Sequence, residues 1–251
     1  MLADVTLTQY ALVALMSFLA GALGGVTGYG PGLLLPPILL PIVGPEAVVP
    51  VIGVSSIFSN ASRLVAFRRD LDLRRALIVV ALALPASALG AWGYTMLSGG
   101  IISVIIGAVL LITVPTRHAL MRLRRHLSTR GLMAAGAGFG FLMGGTAGTG
   151  VVLLSILLAT GLNGAAVIAT DAGISLVLSV VKVAVFQAAG SLPLSSWIMA
   201  LLIGVSATPG VFLAKRLLGT LSNRAHIRIL DVIVSIGGVI LIVQGLRAMP
   251  G

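Results

Sequence analysis

The sequence lacks several features on which whole classes of protein depend. It has no cysteine among its 251 residues, which excludes a disulfide framework, a thiolate metal site and a cysteine nucleophile. Only 9% of the residues are charged, whereas about 25% are charged in an average soluble protein. Together with 58% hydrophobic residues and a mean hydropathy of +1.16, this scarcity of charge predicts an integral membrane protein that lies in a lipid bilayer.

Motifs for catalysis and nucleotide binding are also missing. The sequence contains no phosphate-binding loop, nucleophile triad or carboxylate pair, so ATP-driven transport within this chain is excluded and a membrane enzyme is a weak alternative. The three histidines, His118, His126 and His226, do not have metal-ligand spacing. We therefore expect no catalytic residue, no metal site and no cofactor.

Basic residues are absent from the first quarter of the chain and clustered afterwards. Arg63 is the first of them, so the apolar run at 7–23 lacks the basic region of a secretory signal and is interpreted as a membrane helix. Thirteen of the sixteen basic residues lie in three loops: Arg68, Arg69, Arg74, Arg75; Arg117, Arg122, Arg124, Arg125, Arg130; Lys215, Arg216, Arg224, Arg228. Basic residues clustered in loops between apolar segments orient a protein in the membrane, so the net charge of +10 does not indicate nucleic acid binding. The positive-inside rule places these loops in the cytoplasm and both termini outside.

The chain aligns with itself at a shift of 120 residues. Glycines and serines match in register: Gly24, Gly25, Gly28 and Gly30 with Gly144, Gly145, Gly148 and Gly150, and Ser55 and Ser59 with Ser175 and Ser179. The alignment divides the chain into a first repeat at 1–114, a basic linker at 115–130 and a second repeat at 131–251. Because the basic loop 68–75 aligns with the uncharged loop 188–195, equivalent loops lie on opposite faces. This pattern predicts inverted-topology repeats, which are typical of secondary transporters.

Each repeat contains five apolar elements, which predicts an all-α polytopic membrane protein with about 8–10 membrane segments. The elements at 31–43, 101–114, 131–145 and 150–160 are shorter than the roughly 20 residues that a full span needs. The two elements beside each glycine cluster either both cross the membrane or form a hairpin that enters and returns, and the sequence leaves both arrangements open.

A glycine cluster interrupts apolar sequence in each repeat, GGVTGYG at 24–30 and GGTAGTG at 144–150. Each interior glycine costs about 1 kcal/mol of helix propensity, so the clusters predict paired helix breaks around a binding site. The helix N-termini that follow favour anions. The candidate substrate contacts are Gly28, Tyr29 and Gly30 in the first repeat and Gly148, Thr149 and Gly150 in the second. The alternative is close helix packing through GxxxG spacing, which Gly21–Gly25 and Gly140–Gly144 fit.

Polar residues at membrane depth follow each glycine cluster. The candidate substrate contacts among them are Ser55, Ser59, Asn60 and Arg63 in the first repeat and Ser175, Ser179 and Lys182 in the second. Asp171 shares a helix face with Lys182 about 16 Å away, and we interpret it as a residue that couples transport to a proton or sodium ion. In the simpler alternatives, the serines join helices, Arg63 and Lys182 extend to the membrane surfaces, and Asp171 caps its helix.

Three longer segments resemble a known family. GALGGVTGYGPGLLLPPILL at 21–40, GFLMGGTAGTGVVLLSILL at 140–158 and IATDAGISLVLSVVK at 168–182 are similar to the TauE/SafE family, the sulfite exporter-like permeases. The likeness covers nearly the whole chain. The first repeat departs from the pattern, because Pro50 and Val51 stand where the second has Thr170 and Asp171.

The resemblance implies a secondary transporter in the bacterial inner membrane, with both termini in the periplasm. The expected activity is alternating-access transport of a small anion such as sulfite or an organosulfonate, with export as the favoured direction. The alternatives are an uptake permease for thiosulfate, a carboxylate or another small anion, and an accessory membrane subunit that transports nothing. The sequence specifies neither the coupling ion, proton or sodium, nor whether the chain forms a homodimer.

Overall fold

The structure of the protein, a computed structural model, describes residues 5–27, 31–122, 127–217 and 223–249. Within these ranges it has eleven α-helices, one 3₁₀ turn and no strand. The helices are α1 (Leu7–Thr27), α2 (Pro31–Leu34), α3 (Pro36–Val43), α4 (Pro45–Phe67), α5 (Leu73–Tyr94), α6 (Gly99–Arg122), α7 (Thr129–Gly145), α8 (Gly150–Leu158), α9 (Gly164–Ala188), α10 (Leu194–Leu217) and α11 (Asn223–Ala248). Five of them are long and apolar enough to cross a membrane. The prediction of an all-α polytopic membrane protein is therefore confirmed.

Two sequence-based element lengths need correction. The 31–43 element is two helices, α2 and α3, separated at Leu35, because Pro36 and Pro37 have no N–H to continue the hydrogen bonding of α2. The 101–114 element is the apolar part of α6, which has 24 residues and continues through Pro115 to Arg122. A proline inside a membrane helix is tolerated where neighbouring groups satisfy the freed carbonyl, so hydropathy alone ended this helix too early.

Helices α7 and α8 form a hairpin. The N–H of Leu127, just before α7, donates a 3.2 Å hydrogen bond to the carbonyl of Ala159, just after α8. Arg75, in the first turn of α5, donates to the carbonyl of Thr160 at 3.1 Å. The hairpin therefore starts and finishes at the end of the bundle that carries the arginines between α4 and α5, here called the arginine end (Arg68, Arg69, Arg74 and Arg75). Two full crossings would also start and finish at one end, but α8 has only nine residues, about half of the roughly 20 that a full span needs. Of the two arrangements that the sequence leaves open, the returning hairpin is therefore the one that fits the second half.

The first half places its corresponding helices at the opposite end, here called the Glu46 end. Val5, which precedes α1, lines a cavity together with Val43 and Glu46 at the junction of α3 and α4, so this group of helices also starts and finishes at one end. Met249 packs against Gly100 in the turn of α6 that approaches Glu46. The two ends of the described chain thus lie together, opposite the arginine end.

The helix pairs exchange between the halves. Under the 120-residue shift, α1 corresponds to α7 and α10 corresponds to α5, so the packed pair α1–α10 matches the packed pair α7–α5. Helix α4 packs on its counterpart α9, and α6 packs on its counterpart α11. Both exchanged pairs depend on glycine, because a Cβ at Gly25 would lie 2.6 Å from the Cβ of Ala214, and one at Gly136 would lie 3.1 Å from the Val79 carbonyl oxygen. Gly21 and Gly140 have no room for a Cβ against the Ala207 and Ala83 backbones. The close-packing interpretation therefore holds for both GxxxG pairs, in addition to the helix break described next.

Candidate functional site

A cavity of about 90 Å³ lies where the two halves meet, and we call it the central cavity. A space of roughly 10–15 Å³ already admits a water, so the central cavity has room for a small polyatomic ligand. Its polar and backbone lining comes from both glycine-containing regions and from α4 and α9: Pro31, Gly32, Ser56, Ser59, Asn60, Arg63, Thr146, Ala147, Gly148, Thr149, Gly150, Asp171, Ser175 and Lys182.

The helix break between α7 and α8 forms one wall of the central cavity. Helix α7 ends at Gly145, and Gly148 has a φ of +83°, a conformation that favours glycine. A Cβ at Gly148 would lie 2.9 Å from Cδ2 of Leu110 and 3.0 Å from Cδ2 of Leu33. A Cβ at Gly32 would lie 3.3 Å from the Gly148 nitrogen. The second glycine cluster thus breaks its helix, and the broken segment faces the start of α2 from the first half.

Lys182 lies beside this break. Its side chain is buried, and its Nζ donates to the carbonyl of Met143 at 2.7 Å and to that of Thr146 at 2.8 Å. These carbonyls belong to the last turn of α7 and to the residue after it, where backbone acceptors have no helical partner and the helix dipole is negative. An ammonium group has three N–H donors, and within the described residues Lys182 directs two of them to this break. No carboxylate within the described chain pairs with it.

Arg63 and Asp171 form a buried ion pair across the α4–α9 contact. The Nη1 of Arg63 donates to Oδ2 of Asp171 at 2.9 Å, and its Nη2 donates to the amide oxygen of Asn60. Asn60 in turn lies 3.5 Å from the hydroxyl of Ser179. The second carboxylate oxygen, Oδ1 of Asp171, is buried with no hydrogen-bond partner among the described residues. The two charges neutralise each other, so among the described residues that line the central cavity Lys182 is the charged one without an opposite charge beside it.

The ion pair corrects two interpretations of the sequence. Arg63 is only 8% exposed and turns to Asp171, so it does not extend to the membrane surface. Asp171 lies in the third turn of α9, after Gly164, so it does not cap the helix start. The sequence signal for this pair is depth, because Arg63 is five residues from Arg68 and Asp171 is seven from Gly164 at the same end of the bundle. Depth alone does not show that α4 and α9 pack together.

The structure separates the predicted serines into two groups. Ser59 and Ser175 line the central cavity, as do Thr149 and Gly150 from the second glycine cluster. Ser55 is fully buried and donates to the carbonyl of Ile52 on its own helix, and neither it nor Ser179 is in the cavity lining. Ser56, one residue later than Ser55, lines the cavity and was missed by the sequence alignment. Gly28, Tyr29 and Gly30 lie outside the described residues.

The arginine end connects directly to the ion pair. Asp72 caps α5 by accepting a 2.9 Å hydrogen bond from the Arg75 N–H, and its own N–H donates to the Thr170 hydroxyl at 3.1 Å. The backbone N–H of Arg75, followed by the Arg75 guanidinium, lowers the pKa of Asp72 below its usual value. Since Thr170 precedes Asp171, the loop before α5 is one residue away from the carboxylate of the central cavity.

A comparison with known families shows which family the chain belongs to. A family model described as Sulfite exporter TauE/SafE matches residues 13–241. The chain belongs to the TauE/SafE family. No curated protein and no solved structure matches it. Membership makes the chain a membrane permease of the sulfite exporter type, and the expected family is confirmed. In the described part of the chain, no group of three His, Cys, Asp or Glu residues could hold a metal ion.

Proposed function

We propose that the chain is a secondary transporter that moves a small anion, such as sulfite or an organosulfonate, by alternating access, with export as the favoured direction. The observation that supports this most directly is Lys182, a buried cation in the wall of a polar cavity with no carboxylate among its described partners. A buried charge in a membrane protein is retained where it meets a counter-charge or a substrate. An anion in the central cavity would supply the missing counter-charge.

The proposed anion contacts are neutral donors around Lys182. Helix α8 starts at Gly150 beside the cavity, and the first N–H groups of a helix have no helical acceptor and carry partial positive charge. The hydroxyls of Ser59 and Ser175 lie in the same lining. One full charge with several neutral donors binds an anion yet allows its release, whereas several fixed cations would hold it too tightly. Gly28, Tyr29 and Gly30 remain proposed contacts from the first half, and Ser55 and Ser179 support the site through the packing of α4 and α9.

Asp171 is the proposed coupling residue. As a carboxylate it holds the Arg63 guanidinium, which would otherwise be a second anion-binding group next to the central cavity. Neutralising Asp171 with a proton, or screening it with sodium, weakens this hold and lets Arg63 attract the substrate. Anion binding and cation binding then favour one another, so the two ions cross together and the direction of transport follows their combined gradient.

The proposed topology places the arginine end in the cytoplasm of a bacterial inner membrane and the Glu46 end, with both termini, in the periplasm. Residues 1–114 and 131–251 are then inverted repeats joined by the basic linker 115–130. The exchanged helix pairs α1–α10 and α7–α5 support this assignment. So do the two helix hairpins that return to opposite ends, because inverted repeats place equivalent elements on opposite faces.

Flux into liposomes that contain only this protein tests the proposal. The panel contains sulfite, an organosulfonate, thiosulfate, a small carboxylate and, as a control, a cation of similar size. We expect flux of at least one anion and none of the cation. Replacing Lys182 by Ala should weaken anion binding roughly 10- to 100-fold, since a hydrogen bond to a charged group contributes about 1.5–3 kcal/mol. Val180→Ala, on the lipid-facing side of α9, should bind as the parent does. Unchanged affinity in Lys182→Ala would overturn its role.

A further inference from the structure

Helix α9 runs from the central cavity towards a second, separate cavity. Lys182 lines the central cavity, and Gly190, in the turn just after α9, lines the cavity of about 650 Å³ at the Glu46 end. The six residues from Lys182 to the end of α9 at Ala188 correspond to about 9 Å along the axis. The two cavities have no lining residue in common. Whatever closes the central cavity towards the Glu46 end must therefore lie within about two helical turns of Lys182.

Phe186 occupies this interval. It is fully buried and follows Lys182 by four residues, so it lies on the same face of α9. Its ring makes an edge-to-face contact with Tyr94, with centroids 5.4 Å apart and planes inclined by 62°. Tyr94 itself lines the Glu46-end cavity. The aromatic pair thus touches the central cavity through Lys182 on one side and faces the larger cavity on the other.

Both rings are held in place. The Tyr94 hydroxyl donates to the carbonyl of Pro45 at 2.9 Å and lies 3.2 Å from that of Glu46, at the start of α4. The Nζ of Lys182 lies 5.8 Å from the centre of the Phe186 ring, within the range of a cation–π interaction. The same ammonium is bonded to the end of α7. A group that binds at Lys182 would therefore change the contact that holds Phe186.

We propose that Phe186 and Tyr94 form the barrier between the central cavity and the Glu46 end, and that Lys182 holds this barrier closed. An anion that draws the ammonium away from the α7 carbonyls and from the Phe186 ring weakens the closure. Two apolar rings are a suitable barrier because a hydrated anion would lose its water on entering the contact. This inference rests on the proposed role of the central cavity, but its test needs no transported substrate, so the two can fail separately.

Single-cysteine labelling tests the barrier, and the absence of native cysteine makes every signal specific. Ser59→Cys places a thiol in the central cavity, and Ser98→Cys places one on the exposed surface near the start of α6. Proteoliposomes are treated with a membrane-impermeant, anionic methanethiosulfonate. Labelling of Ser98→Cys gives the fraction of molecules whose Glu46 end faces the reagent. We expect Ser59→Cys to react much more slowly than Ser98→Cys. Equal rates in these two single-cysteine proteins would overturn the barrier.

Removal of the Phe186 ring should open the path between the Glu46 end and the central cavity. Phe186→Ala is expected to speed the labelling of Ser59→Cys by roughly tenfold or more through the space it leaves. Phe186→Leu, which keeps most of the volume, should give a smaller increase, as should Lys182→Met. Val177→Ala, on the exposed side of α9, should give none. If Phe186→Ala does not fold, Phe186→Leu is judged in the same way. A folded ring variant that labels at the rate of Ser59→Cys alone refutes the barrier. The same unchanged rate in Lys182→Met refutes the holding role of Lys182.

Discussion

The two halves of the molecule use the same scaffold for different charges. Helices α4 and α9 correspond at a shift of 120 residues, and a glycine with positive φ stands at the start of each. Gly44, at +79°, comes just before α4, and Gly164, at +55°, is the first residue of α9. Charged residues do not follow this correspondence. Val51 and Ser62 occupy the positions of Asp171 and Lys182, and Arg63 corresponds to Val183.

The difference bears on how many equivalent sites the chain can have. The polar faces of α4 and α9 meet at one cavity. Three charges at unrelated positions then make this cavity asymmetric, with a neutral Arg63–Asp171 pair on the side of the arginine end and a cationic Lys182 beside the α7–α8 break. We therefore expect one anion site per chain, and substitutions at matched positions of the two halves to have unequal effects.

The largest expected effect is at the second helix break. Gly148→Val forces a β-branched residue into a positive φ against Leu33 and Leu110, and displacement of the cavity wall should reduce flux by roughly 100-fold or more. Gly138→Val, an exposed position of α7 with nothing within 4 Å of the added carbon, is the control. Flux is compared at equal amounts of inserted protein, and parent-like flux in Gly148→Val would refute the site. Gly28→Val makes the matched change in the first half. A smaller loss of flux in that variant would show that the two halves contribute unequally to the site.

The next effect concerns the ion pair that joins the halves. Arg63→Met leaves Asp171 buried and unpaired, which should lower the free energy of unfolding by about 3–5 kcal/mol. The double variant Arg63→Met with Asp171→Leu should recover most of that loss, because neither charge then remains. Val183→Met, at the position corresponding to Arg63, enlarges a buried side chain without leaving a charge unpaired, so it should cost less than Arg63→Met. Unfolding in detergent is the measurement, and additive effects of the two changes would show that the residues do not interact.

Asp171→Asn is expected to change anion binding less than the preceding variants change flux or stability. Its main expected effect is on the coupling of transport to an ion gradient. The amide cannot take up a proton and holds Arg63 less strongly, so the anion should bind at least as well as in the parent. Flux should no longer depend on an imposed proton or sodium gradient. Val51→Asn, the matched position of the first half, should keep that dependence. Persistent gradient-driven flux in Asp171→Asn would show that coupling lies elsewhere.

The smallest effect is expected at the arginine end. Asp72 caps α5, whereas Leu192 stands at the corresponding position before α10, so only the first half has this cap. Asp72→Ala should cost about 1 kcal/mol of stability, and Asp72→Asn should keep most of the cap. Because the pKa of Asp72 is lowered in the folded protein, its ionised form contributes stability above its usual pKa. That contribution is lost as the pH falls through the lowered value. Unfolding curves between neutral pH and pH 3 should show this loss in the parent and not in Asp72→Asn.

The sequence predicted the fold from signals that act locally. Hydropathy located the apolar helices and the glycine clusters located the break after Gly145, because helix propensity and burial depend on neighbouring residues. It did not locate the contact between Arg63 and Asp171, which are 108 residues apart, because pairing at such separation depends on how helices pack. Likewise it chose Ser55 over Ser56 as a cavity residue, since adjacent helical positions differ by about 100° in direction and only the packed structure fixes which one faces inward.

The exchange of helix pairs has a consequence for biosynthesis. Helix α1 is made first, but the surface on which Gly21 and Gly25 pack belongs to α10, which begins at Leu194. At 5–20 residues per second, α10 follows α1 by roughly ten to thirty seconds. Throughout that interval the glycine face of α1 is without its native partner in the bilayer. Helix α7, by contrast, emerges after its partner α5. Quality control of the nascent chain therefore has a natural target in α1, and a chain truncated before α10 should be degraded even though its first half is complete.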